Sequence, residues 1–325
     1  MRQKLKRLES CAHRDDSRLT MKSHLLLTTT AAGLLVGCAT NQVGKIDRLA
    51  AMYETSRLEQ DVVYYSVDGM DLRLDIFVPD NRLGEPPWWE ADDRGTKPTI
   101  IYIHGGGWVG GAKEDATLIL LPFIARDWVV ISVDYRLAKD GKAPAAVEDS
   151  LAALDWVHNN ARKYQIDTNR IILAGDSAGG QLALLTGMLK KGDQLCGDKL
   201  RVEKSNRVAA IISWVGVTDF ALHYIPEEWF DTRDNLDDVI RSLSPVNYVR
   251  KNGPPVITIQ GSDDPVVRPI QAKSLHKKLR MAGVKEKLVM IPGKKHGNFS
   301  PAENTFIYSE IWKFLESAGI KTIVD

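Results

Sequence analysis

The stretch RIILA (170–174), GDSAG (175–179), then QLALLTGMLK (181–190) decides the fold. An apolar run of strand length enters Gly175-Asp176-Ser177-Ala178-Gly179, and an apolar helical pattern leaves it. A serine between two glycines at a strand-to-helix junction is the context a nucleophile elbow requires. The turn is so tight that side chains at the flanking positions collide, and glycine removes them. Ser177 is then lifted to the top of a sheet, at the N-terminus of the helix that follows. The competing reading is a serine helix cap, with glycines for close packing.

Working outward, Ile101-Tyr102-Ile103 runs into His104-Gly105-Gly106-Gly107-Trp108. Acyl transfer places negative charge on a carbonyl oxygen, and fixed backbone N–H groups in a dry site stabilise it. Consecutive glycines let a loop turn those N–H groups inward with no side chain in the way. The alternative is a generic glycine turn after a strand.

The rest of the chain fits one architecture. The run VVYYSVDGMDLRLDIFVP (62–79) alternates on both sides of Asp68-Gly69 and predicts a β-hairpin. Asn81 to Pro98, rich in Pro, Gly and charge, is expected to be a surface connection. Buried-strand runs follow at Thr99–Ile103, Trp128–Val133, Arg170–Ala174, Val208–Trp214, Val256–Ile259 and Lys287–Ile291. Between them lie helical faces, with Val147, Leu151, Leu154 and Val157 on one, and Ile307, Ile311, Phe314 and Leu315 on another. A hairpin followed by strand–helix repeats predicts an α/β fold with a mostly parallel central sheet and helices on both faces. Residues 218–250 break the rhythm. They are aromatic, acidic and too long for a bare loop, and are expected to form a small helical cap.

HGGGW at 104–108 together with GDSAGG at 175–180 resembles the hormone-sensitive-lipase-like and feruloyl- or acetyl-esterase-like branches of the α/β-hydrolases, over roughly residues 60–320. The resemblance implies an oxyanion hole from the N–H groups of Gly106, Gly107 and Ala178, with His104 shaping the loop. The acid and base are expected in the order Ser, Asp, His. After PPVITIQ comes GSDDPVV (261–267), and esterases of this type often carry Gly-x-x-Asp-x-x-Val there. That pattern points to Asp264, with Asp263 as the competitor. The base is read from placement. His296 lies in GKKHGNF (293–299), after the last strand signal and before a helix. His13 and His24 lie in the leader, His158 and His276 inside helical patterns, and His223 in the cap.

The expected chemistry needs no cofactor. His296 takes the proton of Ser177 during attack, Asp264 fixes the imidazole tautomer, and an acyl-enzyme forms and is hydrolysed. Asp176 is read as packing and hydrogen-bonding at the elbow, with a second acid as the bolder alternative. Trp108, Trp214 and Trp229 either line a substrate pocket or serve as core and cap packing. His and Cys are too sparse and unpatterned for a metal cluster, and no phosphate loop is present.

The first forty residues stand apart. Residues 1–24 hold seven Lys/Arg against three acids, and Leu25 to Gly37 (LLLTTTAAGLLVG) is an apolar run ending at Cys38. This predicts an export leader over 1–38, too short to span a ~30 Å hydrocarbon core. Leu35-Val36-Gly37-Cys38 resembles a bacterial lipobox, which implies lipidation at Cys38; a plain signal peptide is the alternative. Met21-Lys22 reads as the more regular start. Residues 39–60 are read as a linker or N-terminal helix, and 61–325 as the catalytic domain. Beyond the leader only Cys38 and Cys196 remain, so an internal disulfide is not expected once Cys38 is lipidated.

With 43 Lys+Arg, 42 Asp+Glu and a formal net charge of +1, nothing suggests a polyanion partner. The expected partner is a small-molecule ester, with membrane contact only through the N-terminal lipid. The sequence therefore predicts an exported ester hydrolase for short-chain acyl or aryl-acid esters. An amidase, formamidase or peptidase-like enzyme would use the same triad. A non-catalytic surface lipoprotein is the reading from a different class.

Overall fold

A computed structural model describes residues 56–79, 95–193, 195, 208–223, 226–230 and 235–321. The leader, Cys38, Cys196, most of the 39–60 segment and most of the connection after Pro79 lie outside the described residues.

An antiparallel pair opens the fold, β1 (Arg57–Val67) and β2 (Met70–Val78). Asp68 and Gly69, which join them, both have positive φ (51° and 78°). That is the backbone of a type I′ turn, and it matches the right-handed twist of the strands it connects. β1 starts at Arg57, inside the stretch read from sequence as linker or helix. An irregularity between Glu59 and Val62, with Asp61 at φ 56°, breaks the alternation and hides the first strand residues from a period-two reading.

Six further strands follow: β3 (Lys97–Ile103), β4 (Val129–Val133), β5 (Ile166–Asp176), β6 (Ala210–Trp214), β7 (Val256–Gly261) and β8 (Glu286–Ile291). β3 takes in Lys97 and Pro98, at the end of the stretch read as a connection. The sheet order is β1-β2-β4-β3-β5-β6-β7-β8. β2 meets β4 antiparallel, and every pairing from β4 to β8 is parallel. All five residues of both β4 and β6 are buried, as expected of parallel strands covered on two faces.

The helices are α1 (Thr117–Ile124), α2 (Ala145–Asn159), α3 (Ser177–Met188), α4 (Leu236–Leu243), α5 (Ile270–Met281) and α6 (Pro301–Ser317). Strand alternation divides the core. Ile101 and Ile103 join Leu151 and Leu154 of α2, Leu182 and Leu185 of α3 and Leu275 of α5. Ile100 and Tyr102 join Phe123 of α1 and Ile311, Trp312 and Leu315 of α6 on the other face. α3 is buried nearly all round, so it is a central helix and carries no polar stripe.

The 218–250 segment contains short helical turns at Phe220–Leu222, Glu227–Trp229 and Pro245–Asn247, besides α4, which Asn235 caps by accepting from the Asp237 N–H. Residues 224, 225 and 231–234 in it lie outside the described residues.

Candidate active site

β5 ends at Asp176 in extended backbone, and Ser177 begins α3 at φ 51°. A left-handed backbone at a non-glycine residue costs free energy, and the surrounding packing must impose it. Here the packing is backbone on backbone. A Cβ at Gly179 would collide with the carbonyl oxygens of Ile103 and His104, so only glycine lets α3 approach the end of β3 this closely. The N–H groups of the first turn of α3, Ala178 among them, have no partner one turn back.

The glycine loop faces this turn. Gly106 has φ 114°, and a Cβ there would strike the Gly110 carbonyl. Among the described residues, the N–H groups of Gly106 and Gly107 have no hydrogen-bond partner, and they belong to the more exposed residues of the loop. Asp176 fixes the loop from below. Its Oδ1 accepts from the Gly105 N–H at 2.8 Å and from the Tyr102 hydroxyl at 2.7 Å. Burial, and then the Asp176 carboxylate, push the Tyr102 phenol well above its usual range, so it remains a donor. Asp176 thus packs and hydrogen-bonds at the elbow. His104 is buried, its Nδ1 2.7 Å from the Gly105 carbonyl and its ring stacked on Tyr135 at 4.4 Å. That placement suits a residue that shapes the loop.

At the far end of the sheet, β7 leads into the turn carrying Asp263 and Asp264, and β8 leads into the loop carrying His296. Backbone bonds lace the two together. The Ser262 N–H donates to the Ile291 carbonyl at 3.0 Å, and the Asp263 N–H to the Lys294 carbonyl at 2.9 Å. The structure separates the two aspartates. Asp263 is exposed, and among the described residues its carboxylate takes only the Ser262 hydroxyl, at 2.7 Å. Asp264 is buried, and its Oδ1 accepts from the N–H groups of Val266 and Val267, both at 2.9 Å. Its Oδ2 lies 2.8 Å from His296 Nδ1, and His296 Nε2 lies 2.9 Å from Ser177 Oγ. Three residues distant in the chain thus form one continuous hydrogen-bonded line. A neutral imidazole in this line carries its proton on Nδ1 and offers Nε2 to the serine hydroxyl.

Sequence reasoning missed two supports of this site. Gln260 Nε2 donates to Asp264 Oδ2 at 3.1 Å and to the Val267 carbonyl at 3.0 Å, and so holds the acid turn closed. Tyr102 supports Asp176 as described. A polar side chain inside an otherwise apolar strand is the available signal for both.

The tryptophans are placed as packing. Trp108 is buried and stacks on Trp229 at 4.2 Å and 9°, with Phe220 at 5.4 Å. Its indole N–H donates to Gln181 Oε1 at 3.1 Å, and Gln181 Nε2 donates to the Leu243 carbonyl at 2.9 Å. Trp214 is buried at the end of β6, 6.3 Å from Tyr102. None of the three lines the cavity of about 350 Å³ beside the glycine loop, whose walls include Tyr102, Gly105, Gly106, Asp115, Ile119 and Asp176. Trp108 and Trp229 thus turn one ring face toward each other, and Trp214 meets Tyr102 at a tilt.

Comparison with known proteins gives this arrangement a family. The model of the BD-FAE family matches residues 88–279, more than half of the chain. The chain belongs to the BD-FAE family. A second model, described as TAP-like protein, matches residues 240–323 of this BD-FAE member. Esterase LipC of Mycobacterium tuberculosis is 32% identical over 224 residues, covering 64% of this chain and 55% of LipC. The chain thus spans about half the length of that curated relative. Among solved structures, a truncated carbohydrate esterase from gut microbiota has a TM-score of 0.65 at 26% identity, over 81% of this chain and 96% of that one. Thermogutta terrifontis esterase 2 phosphorylated by paraoxon has a TM-score of 0.64 at 25% identity, over 81% and 94%. These likenesses agree with the α/β-hydrolase architecture of the sheet.

Proposed function

We propose that this protein is a carboxylic-ester hydrolase acting on short-chain acyl or aryl-acid esters through an acyl-enzyme on Ser177. One observation carries the reading: the line Ser177 Oγ, His296 Nε2, His296 Nδ1, Asp264 Oδ2, with links of 2.9 and 2.8 Å. The esterases among its relatives support the bond type.

In this reading Ser177 attacks the ester carbonyl while His296 accepts its proton at Nε2, which converts a weak nucleophile into a competent one. Asp264, held by Val266, Val267 and Gln260, stays an acceptor and stabilises the transient imidazolium. The oxyanion is met by the N–H groups of Gly106, Gly107 and Ala178, fixed in advance by the glycine loop and the helix start. His296 then gives its proton to the departing alkoxide. Water, deprotonated by the same imidazole, adds to the acyl group, and collapse releases the acid and restores the Ser177 hydroxyl.

The test is hydrolysis of p-nitrophenyl acetate, with mass-spectrometric mapping of a fluorophosphonate adduct. Turnover with the label on Ser177 is the expected result. A label elsewhere, or turnover that survives full labelling of Ser177, sinks the reading. Parallel assays on acetyl, feruloyl and formamide substrates order the acyl and bond-type preferences.

The same proposal includes export, with attachment to a membrane through lipid on Cys38. The mass of the N-terminal peptide of the native product tests it, an unmodified or absent Cys38 being the contrary result.

A further inference from the structure

His223 closes the short cap turn Phe220–Leu222, and two unrelated contacts fix where that turn sits. On one side, the Phe220 ring lies 6.4 Å from His223 and 5.4 Å from Trp108, the residue that ends the glycine loop. On the other, the Arg268 guanidinium donates to the Leu222 carbonyl at 3.1 Å. Arg268 directly follows Val267, whose N–H is bonded to Asp264. Gln271 clamps the base of the turn: its Oε1 accepts from the N–H groups of Thr218 and Asp219 at 2.9 and 2.7 Å, and its Nε2 donates to the Asp219 carbonyl at 2.8 Å. The turn that carries His223 is therefore tied to Trp108 on one side and to the acid turn on the other, close enough to His296 and Asp264 for both to act on its ring electrostatically. Its ring is half-buried and forms no hydrogen bond with another described residue.

The charge state follows from the same surroundings. Burial, and then the neighbouring His296, lower the His223 pKa against the pull of Asp264, and Arg268 lowers it further. The ring is neutral at pH 7, with one nitrogen able to donate and the other to accept.

Resting on the ester-hydrolase reading, the orientation of a bound ester is set by the two walls. The carbonyl oxygen must face the amides of the glycine loop, and the leaving oxygen must face His296, which protonates it. A side chain beside His296 consequently faces the alcohol. We infer that His223 is a specificity-determining residue of the alcohol subsite, hydrogen-bonding a polar substituent of the leaving alcohol.

The experiment compares kcat/KM for glyceryl monoacetate and for p-nitrophenyl acetate in the wild type, His223→Phe and His223→Asn. The acyl group is constant and only the alcohol changes. His223→Phe keeps a ring against Phe220 and removes the hydrogen bond. It is expected to lower kcat/KM for the glyceryl ester about tenfold more than for the nitrophenyl ester, mostly through KM. His223→Asn is expected to recover part of that difference. The rate at which a small fluorophosphonate labels Ser177 is followed in each variant. Equal losses on both esters, matched by slower labelling in both variants, place the effect on the Ser177–His296 pair and overturn the inference. An unchanged ratio of the two esters overturns it as well. A wild type inert toward both esters and the label removes the ester-hydrolase reading itself, and this inference with it.

Discussion

The floor of the site and its roof are held by different physics. At the floor, the elbow and the glycine loop are fixed by backbone collisions and charged hydrogen bonds: Gly179 against the ends of β3, and Asp176 between Tyr102 and Gly105. In the cap, Trp229 stacks on Trp108 and Phe220 packs against it at a tilt, and Gln181 and Gln271 fasten the surrounding chain. Atomic collisions tolerate almost no substitution, whereas a ring stack accepts any large ring of similar shape. The floor therefore holds reacting groups to a fraction of an ångström, and the cap is free to vary around whatever enters.

The sharpest way to separate the two regions is to remove the reacting group of the floor. Ser177→Ala is expected to lower kcat by about 10⁴–10⁶ with an unchanged unfolding midpoint, read from steady-state kinetics and a thermal melt. Next in size, Asp264→Asn should lower kcat by about 10⁴ by favouring the wrong imidazole tautomer. Asp263→Asn, at an exposed carboxylate, should stay within about 0.5 kcal/mol of wild type in both stability and activation free energy. If the two variants behaved alike in a kcat assay, the separation of the two aspartates would be lost.

Trp229→Ala attacks the roof. Loss of a fully buried indole is expected to cost about 3–5 kcal/mol in urea unfolding, while Ser177 in the folded fraction still takes a fluorophosphonate. Failure to label would mean that the cap, and not the sheet, holds the floor in place. A smaller loss of stability than in the roof is expected at the joint inside the floor. Asp176→Asn replaces a charged acceptor of two hydrogen bonds by a neutral one and should cost about 1.5–3 kcal/mol in the same unfolding assay. Its kcat should fall about tenfold as the Gly105 end of the loop loosens.

Legibility in the sequence follows this division. Ser177, His296 and the glycines of both loops stand out because tight backbone geometry admits few residues, so the chain must spell them. The parallel strands were visible as apolar runs for the same kind of reason, since both of their faces are covered. The first residues of β1 were hidden by the irregularity at Asp61, where the alternation slips. Gln260 and Tyr102 do not stand out, because each interrupts an apolar strand with nothing beside it to mark the carboxylate as its partner. Those partners, Asp264 and Asp176, lie 4 and 74 positions away.

The α/β order of elements, the elbow, the glycine loop and the candidate serine and histidine are written into the chain locally, because they depend on short-range sterics and on periodicity. Which aspartate meets His296, which rings the tryptophans contact and which turn carries His223 emerge only once the chain is folded. Each of these rests on contacts between segments far apart in the chain. No residue's own spacing encodes such a contact until the sheet brings the ends of its strands to one edge.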